Sequence, residues 1–364
     1  MIDKKSLTAE WINSKRKTFK KVDPSIMERA IFAFFLLEQL KLSGLEFVFK
    51  GGTCLMLLLK TAKRFSIDLD IILPIEMKQK NIEEHLEKVL TENIFQRFEL
   101  DEKRSYKPGI PKAHYKFIFN SVVTSREQEI MLDILFEDFQ YPVILQKPIE
   151  SEWIQQSGDP ISINTPDINA IAGDKLTAFA PGTIGIPYGS EKQREMIKQL
   201  FDIGELFDLI DNIETVKVSF SAIAQAEIKY LNKQFLTPVD VLNDIIKTGL
   251  ILATRAIQPI PEDITRFGEL SMGISQFNYF LYTGRFRIEE AQTASAKAAY
   301  LAAIIKTSFR GNVKHFENTM PPVLYLIHHP QFNFLNKKLK NVPGGCLFYW
   351  NEAIKLLFPT GEAP

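Results

Sequence analysis

The segment from residue 45 to residue 73 constrains the fold more than any other part of the sequence. Residues 45–50 are apolar and aromatic, which predicts a strand, and this strand ends at two glycines. Residues 54–60 are rich in leucine and predict a helix, whereas residues 66–73 alternate polar and apolar side chains with the period of a second strand. This order predicts an α+β domain with a sheet at its centre.

Elements on both sides of this segment divide the chain into two parts. Asp23 and Pro24 have the pattern of a helix N-cap and first turn, and this helix should run to Leu42. The other elements predicted for the first part are a helix at 78–93 and strands at 113–119 and 129–136, which would extend the sheet. The helices predicted for the second part are residues 167–180, 191–210, 215–233, 238–256, 289–308 and 321–338. We therefore expect a core with N-terminal helices over residues 1–160 and a helical domain over residues 161–364.

Charge, cysteine content and hydropathy exclude several classes of protein. The 364 residues include 44 Lys plus Arg and 44 Asp plus Glu, so no overall field would attract a polyanion. The two cysteines lie in different contexts, and no Cys/His spacing of a zinc site is present. The first twenty residues lack the pattern of a signal peptide, and the apolar stretch at 30–37 is far shorter than the roughly 20 residues of a membrane span. These features predict a cytoplasmic protein without contact with a membrane.

The second strand of the central segment carries two carboxylates. Its alternation places Ser66, Asp68 and Asp70 on one face, because side chains two apart on a strand lie on the same side, roughly 6 to 7 Å apart. Carboxylates at this spacing can ligate hard cations such as Mg²⁺. A third acid, Asp133, interrupts an apolar strand, where burial requires a partner such as a metal ion. The alternative is that the two strand acids face solvent and that Asp133 pairs with a lysine.

The turn after the first strand has the composition of a phosphate site. Two glycines join the strand to a helix N-terminus, where backbone N–H groups favour anions and the absence of side chains allows close approach. Such a turn also occurs for conformational reasons alone, and a nearby serine or arginine can be structural or solvated. The candidate phosphate-binding residues are Lys50, Gly51, Gly52, Thr53, Arg64 and Ser66.

The turn at 50–53, the leucine-rich helix and residues 64–70 together resemble the signature of the polymerase-β-like nucleotidyltransferase superfamily, most closely the AbiEii/AbiGii toxin family. The resemblance implies a polymerase-β-like mixed sheet with flanking helices, followed by a C-terminal all-helical domain. It also implies that the glycine turn holds a nucleoside triphosphate (NTP) and that the strand acids bind Mg²⁺. A later lysine and acid complete the site in that family, and the matching residues are Lys175 and Asp202. No arginine stands beside Asp202, unlike the usual pattern, which leaves its partner open.

The resemblance gives these two later residues their roles. Lys175 would be a cation for the triphosphate, while Asp202 would orient that lysine or accept a proton from the acceptor. The residues alone are also consistent with a surface lysine on an amphipathic helix and with an acid that pairs with Lys198 one helical turn away. The stretch at 181–190 holds three glycines and two prolines and is predicted to be a loop over the site.

The resemblance further implies a toxin of an abortive-infection or toxin–antitoxin pair that acts on the acceptor end of tRNA and has a separate antitoxin protein as partner. In the expected mechanism, an acceptor hydroxyl attacks the α-phosphate in line and pyrophosphate leaves, with Asp133 as a metal ligand or as the base. The basic run at 15–21 is either an RNA contact or a solvated helix face. A nucleotidyltransferase that modifies a small molecule such as an antibiotic, and a scaffold without catalytic activity, are the alternative functions.

Overall fold

The chain divides into two units, and a short segment of the first unit interrupts the sequence of the second. The computed structural model describes residues 1–19, 22–106, 109, 111–138, 141–256 and 260–359. The first unit consists of Met1–Asp167 together with Tyr279–Gly284, and the second of Ile168–Asn278 and the chain from Arg285 onwards. The chain therefore leaves the second unit at residue 278 and returns to it at residue 285.

A mixed sheet forms the centre of the first unit. Among the described residues it has seven strands in the order β3-β4-β5-β2-β1-β7-β6. The strands are β1 Val48–Lys50, β2 Leu69–Leu73, β3 Phe95–Leu100, β4 Lys112–Asn120, β5 Glu127–Phe136, β6 Ile144–Pro148 and β7 Ser162–Pro166. Strand β2 is antiparallel to β1 and parallel to β5, and β1 is parallel to β7. The short strand β1 is thus held on both sides by neighbours.

Four α-helices accompany this sheet among the described residues. They are α1 Ala9–Thr18, α2 Pro24–Leu42, α3 Gly51–Leu58 and α4 Gln79–Leu90. Helix α2 begins where Asp23 accepts a hydrogen bond from the backbone N–H of Ser25 at 2.8 Å, as the sequence predicts. Inside the core, its buried Glu28 accepts hydrogen bonds from the Ser121 hydroxyl and the Val122 N–H, both at 2.6 Å. These bonds satisfy a buried carboxylate and tie α2 to the β4–β5 turn.

The second unit is helical. Its helices are α5 Ile168–Ala178, α6 Gln193–Phe207, α7 Ile213–Tyr230, α8 Pro238–Thr254, α9 Pro261–Phe277, α10 Ile288–Lys306, α11 Leu335–Leu339 and α12 Cys346–Leu357. Helix α10 is buried along most of its length and is rich in alanine, so that neighbouring helices can approach it closely. None of the described helices of the chain is long and apolar enough to cross a bilayer.

The predicted α+β class is confirmed, since a mixed sheet with flanking helices precedes an all-helical region. The predicted helix at 321–338 is wrong. That stretch contains a 3-10 turn, Pro322–Tyr325, and the short helix α11, because Pro330 interrupts the helical hydrogen bonds. Six further helices and strands were not predicted from the sequence, namely α1, α9, α12, β3, β6 and β7.

Helices α5 and α7 touch at Gly173. A Cβ atom at this position would lie 2.6 Å from the Val216 carbonyl oxygen and 2.8 Å from the Phe220 backbone nitrogen. At Gly268 of α9, a Cβ atom would have no other atom within 4 Å. Alanine would therefore clash with backbone at Gly173 and would fit without a clash at Gly268.

Gly173→Ala should lower the free energy of unfolding by about 1–3 kcal/mol, because the added methyl group forces backbone apart. Gly268→Ala should raise it by up to about 1 kcal/mol, because alanine is the better helix former. Urea unfolding of both variants measures the difference. A gain in stability for Gly173→Ala would contradict the close crossing of α5 and α7.

Candidate active site

Four polar side chains form one row across the middle of the sheet. The strand register pairs Lys50 of β1 with Asp70 of β2, Asp70 with Asp133 of β5, and Asp133 with His114 of β4. Directly opposed residues of neighbouring strands present their side chains on the same face. The polar row, Lys50-Asp70-Asp133-His114, therefore has an ammonium group at one end, two carboxylates in the middle and an imidazole at the other end.

His114 is the member of the row that sequence reasoning missed. Its Nδ1 lies 2.5 Å from Oδ1 of Asp133, and the two side chains are 12% and 28% exposed. The partner of Asp133 is thus a histidine and not the lysine considered from the sequence. The signal that could have found it is the alternation in β4, where His114 lies between the buried residues Ala113 and Tyr115.

The first glycine of the turn makes room for an acid of the row. Helix α3 begins at Gly51, which has φ +80°, and a Cβ atom there would lie 2.0 Å from Oδ2 of Asp70. The carboxylate of Asp70 occupies the space that any other residue would need. Within the described residues, the N-cap Lys50 makes no side-chain capping bond, and its Nζ lies 5.7 Å from the ring centroid of Tyr141. The first turn of α3 therefore suits an anion.

The second glycine lies against two further predicted phosphate contacts. A Cβ atom at Gly52 would lie 2.7 Å from Nη2 of Arg64 and 2.7 Å from Oγ of Ser66. Both side chains are buried, and Arg64 also donates a hydrogen bond to the Phe65 carbonyl oxygen at 3.0 Å. The structure thus brings a guanidinium and a hydroxyl group to the start of α3.

The predicted strand at 66–73 is shorter than expected, and this corrects the placement of its polar residues. Strand β2 begins at Leu69, so that Ser66 and Asp68 precede it and lie outside its pairing with β1 and β5. The reason is that the backbone before Leu69 is held by α3. Thr53 donates to the carbonyl oxygen of Asp68 at 2.5 Å, and the N–H of Ser66 donates to the sulfur of Met56 at 3.4 Å.

A distant segment of the chain also holds this stretch. The N–H of Phe65 donates to the Phe280 carbonyl oxygen at 2.9 Å, and the N–H of Tyr282 donates to the Lys63 carbonyl oxygen at 3.1 Å. The Tyr282 ring packs 4.8 Å from the Phe65 ring. Burial raises the pKa of the Tyr282 hydroxyl, which stays neutral and donates to the Ala62 carbonyl oxygen. Residues 279–284 thus form part of the support of Arg64 and Ser66.

The carboxylates of the polar row suit a cation that is ligated partly by the protein and partly by a bound substrate. In the described part of the chain, no three His, Cys, Asp or Glu side chains come together as a metal-binding group. Mg²⁺ is usually held by one or two carboxylates plus substrate phosphates, and Asp70 and Asp133 face each other in register. Gly51 has no side chain and so leaves room for the Asp70 carboxylate at the start of α3. The assignment of Asp68, Asp70 and Asp133 as ligands of Mg²⁺ stays a prediction.

Lys175 and Asp202 lie in the second unit and form a buried ion pair. Nζ of Lys175 is 3.0 Å from Oδ2 of Asp202, and the two side chains are 7% and 3% exposed. The same ammonium group donates to Oε1 of Gln199 at 3.0 Å. Lys175 is therefore not a surface lysine. Asp202 has a cationic partner although no arginine adjoins it in sequence, and the roles of both residues toward a substrate stay predictions.

Residues 35–270 match the family model "Nucleotidyl transferase AbiEii toxin, Type IV TA system". The match covers well over half of the 364 residues. The chain belongs to the AbiEii family. It is accordingly a nucleotidyltransferase toxin of a type IV toxin–antitoxin system. Membership of the AbiEii family implies a nucleoside triphosphate substrate and a cognate antitoxin.

Two solved structures resemble this AbiEii-family chain. One is JHP933 from Helicobacter pylori, which is 15% identical with a TM-score of 0.41, over 77% of this chain and 93% of that chain. The other is a candidate nucleotidyltransferase from H. pylori, also 15% identical with a TM-score of 0.41, over 77% of this chain and 96% of that chain. Among curated proteins, none matches the sequence.

Gly51→Ala should lower the free energy of unfolding by about 1–3 kcal/mol more than Gly158→Ala. Both glycines have φ +80°, so alanine adds a backbone strain of about 1–2 kcal/mol at each position. Only at Gly51 does the added Cβ meet Asp70, since nothing lies within 4 Å at Gly158. The double variant Gly51→Ala/Asp70→Ala should recover most of the additional loss, because it removes the carboxylate and leaves only the Cβ of residue 70 nearby. Thermal unfolding of the variants measures it, and equal losses at both glycines would contradict the close approach.

Lys175→Met should lower the free energy of unfolding by about 3–5 kcal/mol, because Asp202 would remain buried without its cation. Lys175→Met/Asp202→Leu should recover most of this loss, because two apolar side chains replace the ion pair. Chemical unfolding of the single and double variants tests this. A single variant as stable as the native protein would show that the pair is not buried as described.

Proposed function

We propose that the protein transfers a nucleotidyl group from an NTP to a hydroxyl group of tRNA and releases pyrophosphate, with Mg²⁺ held by Asp68, Asp70 and Asp133. The observation that supports this proposal most directly is the polar row. Its Lys50 is the N-cap of α3, and its Asp70 lies against Gly51 at the first turn of that helix. Groups that attract phosphate and groups that hold a cation thus occur next to each other.

The triphosphate is proposed to bind at the first turn of α3. The backbone N–H groups there carry the positive end of the helix dipole, which attracts a phosphate. Lys50 and Arg64 add positive charge, and the hydroxyl group of Ser66 can donate to a phosphate oxygen. The hydroxyl of Thr53 already donates to the Asp68 carbonyl oxygen, so Thr53 would contribute its backbone N–H in the first turn of α3. Arg64 donates to the Phe65 carbonyl oxygen, and the N–H of Ser66 donates to the sulfur of Met56. Because both residues are also buried, they would meet the ligand without reordering.

The acids of the row are proposed to serve the reacting groups. When bound, Mg²⁺ would supply positive charge to the α-phosphate and to the leaving pyrophosphate. If Asp133 serves as the base instead of as a metal ligand, its carboxylate would accept the proton of the acceptor hydroxyl. The hydroxyl oxygen forms a bond to the α-phosphorus as the bond from this phosphorus to the bridging oxygen breaks, and pyrophosphate leaves.

Lys175 is proposed as a further cation for the triphosphate, and Asp202 as the group that orients it. A lysine ammonium group has three donors on a flexible stem, so a fixed position requires fixed partners. Asp202 and Gln199 each lie 3.0 Å from this ammonium group and support that role.

The acceptor and the partner complete the proposal. Lys15, Arg16 and Lys17 occupy the last turn of α1 and are proposed to contact RNA phosphates, whereas Lys20 and Lys21 of the same basic run lie outside the described residues. Lys15 also lies 4.7 Å from the ring centroid of Trp11, which orients it. We propose that the protein acts in the cytoplasm, together with a separate antitoxin protein.

The proposal is tested by incubating the protein with purified tRNA, Mg²⁺ and each of the four α-labelled NTPs in turn. One or more nucleotides should label the RNA. Asp70→Asn should reduce the labelling rate on the order of 10³-fold, because the binding of a catalytic metal is worth several kcal/mol. The matched control is Glu129→Gln, which changes an exposed acid of β5 in the same way and should keep the native rate.

The other outcomes separate the alternatives. Label on a panel of small molecules with free hydroxyl groups, and none on RNA, would replace tRNA by a small acceptor. Absence of both label and NTP binding would support a scaffold. Equal rates for the native protein and Asp70→Asn would contradict the role of the polar row.

A further inference from the structure

We propose that His114 is a positioning residue for nucleotidyl transfer, which orients the Asp133 carboxylate through the bond between Nδ1 and Oδ1. The inference rests on the proposed function and assigns a role that neither the motifs nor the family match identifies. His114 acts through Asp133 and not by touching the substrate.

The geometry of the bond fixes one oxygen and leaves the other available. A carboxylate only accepts hydrogen bonds, so the proton of this 2.5 Å contact is carried by Nδ1 of His114. A single donor on Oδ1 stops rotation of the Asp133 carboxylate and leaves Oδ2 available to a cation or a hydroxyl proton. Such outer partners of metal-binding carboxylates typically contribute 10- to 100-fold to metal affinity or activity.

The bond from His114 also offsets the repulsion between the two carboxylates of the polar row. Asp70 and Asp133 are direct partners across β2 and β5, and like charges in this arrangement repel each other. Asp70 has Lys50 opposite it on β1, and Asp133 has His114 opposite it on β4. Each carboxylate of the pair thus has a neighbour that can donate a proton in a hydrogen bond. His114 thereby keeps the Asp133 carboxylate in place beside the Asp70 carboxylate, which repels it.

The backbone of His114 is itself held in place. Its N–H donates to the Ser105 hydroxyl at 2.8 Å, and its carbonyl oxygen accepts from the N–H of Asp101 at 2.9 Å. Ser105 is buried, and so are Ala113 and Tyr115 on either side of His114. The imidazole therefore projects from a rigid strand, as precise positioning of a neighbour requires.

The decisive variants are His114→Phe, which keeps the ring shape without a donor, and His114→Asn, whose side-chain amide places a donor at the position of Nδ1. His114→Phe should reduce kcat for tRNA labelling by about 10- to 100-fold with little change in KM for the NTP, and should weaken Mn²⁺ binding, measured by electron paramagnetic resonance, by a similar factor. His114→Asn should recover most of both losses. The control is His85→Phe, which removes a histidine whose Nδ1 lies 2.9 Å from the Ser43 carbonyl oxygen, outside the row.

A spectroscopic signal of the native protein is a readout that does not depend on turnover. In the native protein, the Nδ1 proton of His114 should give a strongly downfield nuclear magnetic resonance signal, and Asp133→Asn should shift or remove it. Absence of that signal in the native protein would overturn the inference.

The remaining outcomes are equally definite. Native kcat and Mn²⁺ affinity in His114→Phe, or equal losses in His114→Phe and His114→Asn, would also overturn it. If the native protein labels no acceptor, the proposed function fails, while the signal and Mn²⁺ binding still decide the role of His114.

Discussion

The pairing of Asp70 with Asp133 across β2 and β5 is the constraint on which the rest of the first unit depends. Two carboxylates in direct register repel each other, and the sheet must compensate for that repulsion. It does so with Lys50 on one flank and His114 on the other, both opposite the acids in the register. A cation between the two acids, as in the proposed function, would offset the remaining repulsion.

The two adjacent glycines of the turn are each required by a different contact. Gly51 combines a positive φ with the close approach of Asp70, whereas Gly52 is surrounded by the side chains of Arg64 and Ser66. One glycine therefore leaves room for a carboxylate beside the start of α3, and the other leaves room for a guanidinium and a hydroxyl group. The turn is shaped by contacts from β2 and the stretch before it, and not only by the demands of chain reversal.

Local sequence patterns predicted the components of the site more reliably than their contacts. The turn, α3 and β2 follow one another as expected, because hydrophobic period and glycine placement are local properties. The start of β2 could not be predicted, because Thr53 and residues 279–284 hold the preceding backbone from other parts of the chain. His114 escaped for the same reason: its importance comes from a register between β4 and β5, which no single strand reveals. The Lys175–Asp202 pair was found only through family resemblance, since helical spacing favoured Lys198 as a partner.

Residues 279–284 have a consequence for how the protein is made. They supply the backbone that pairs with Lys63 and Phe65, yet about 200 residues separate them from these partners in sequence. A ribosome adds roughly 5–20 residues per second, so Lys63 and Phe65 emerge at least about ten seconds before this segment does. During that interval the support of Arg64 and Ser66 is incomplete, and the nascent chain carries its acids and glycine turn without the finished site. The toxin therefore gains its final architecture only late in its own translation.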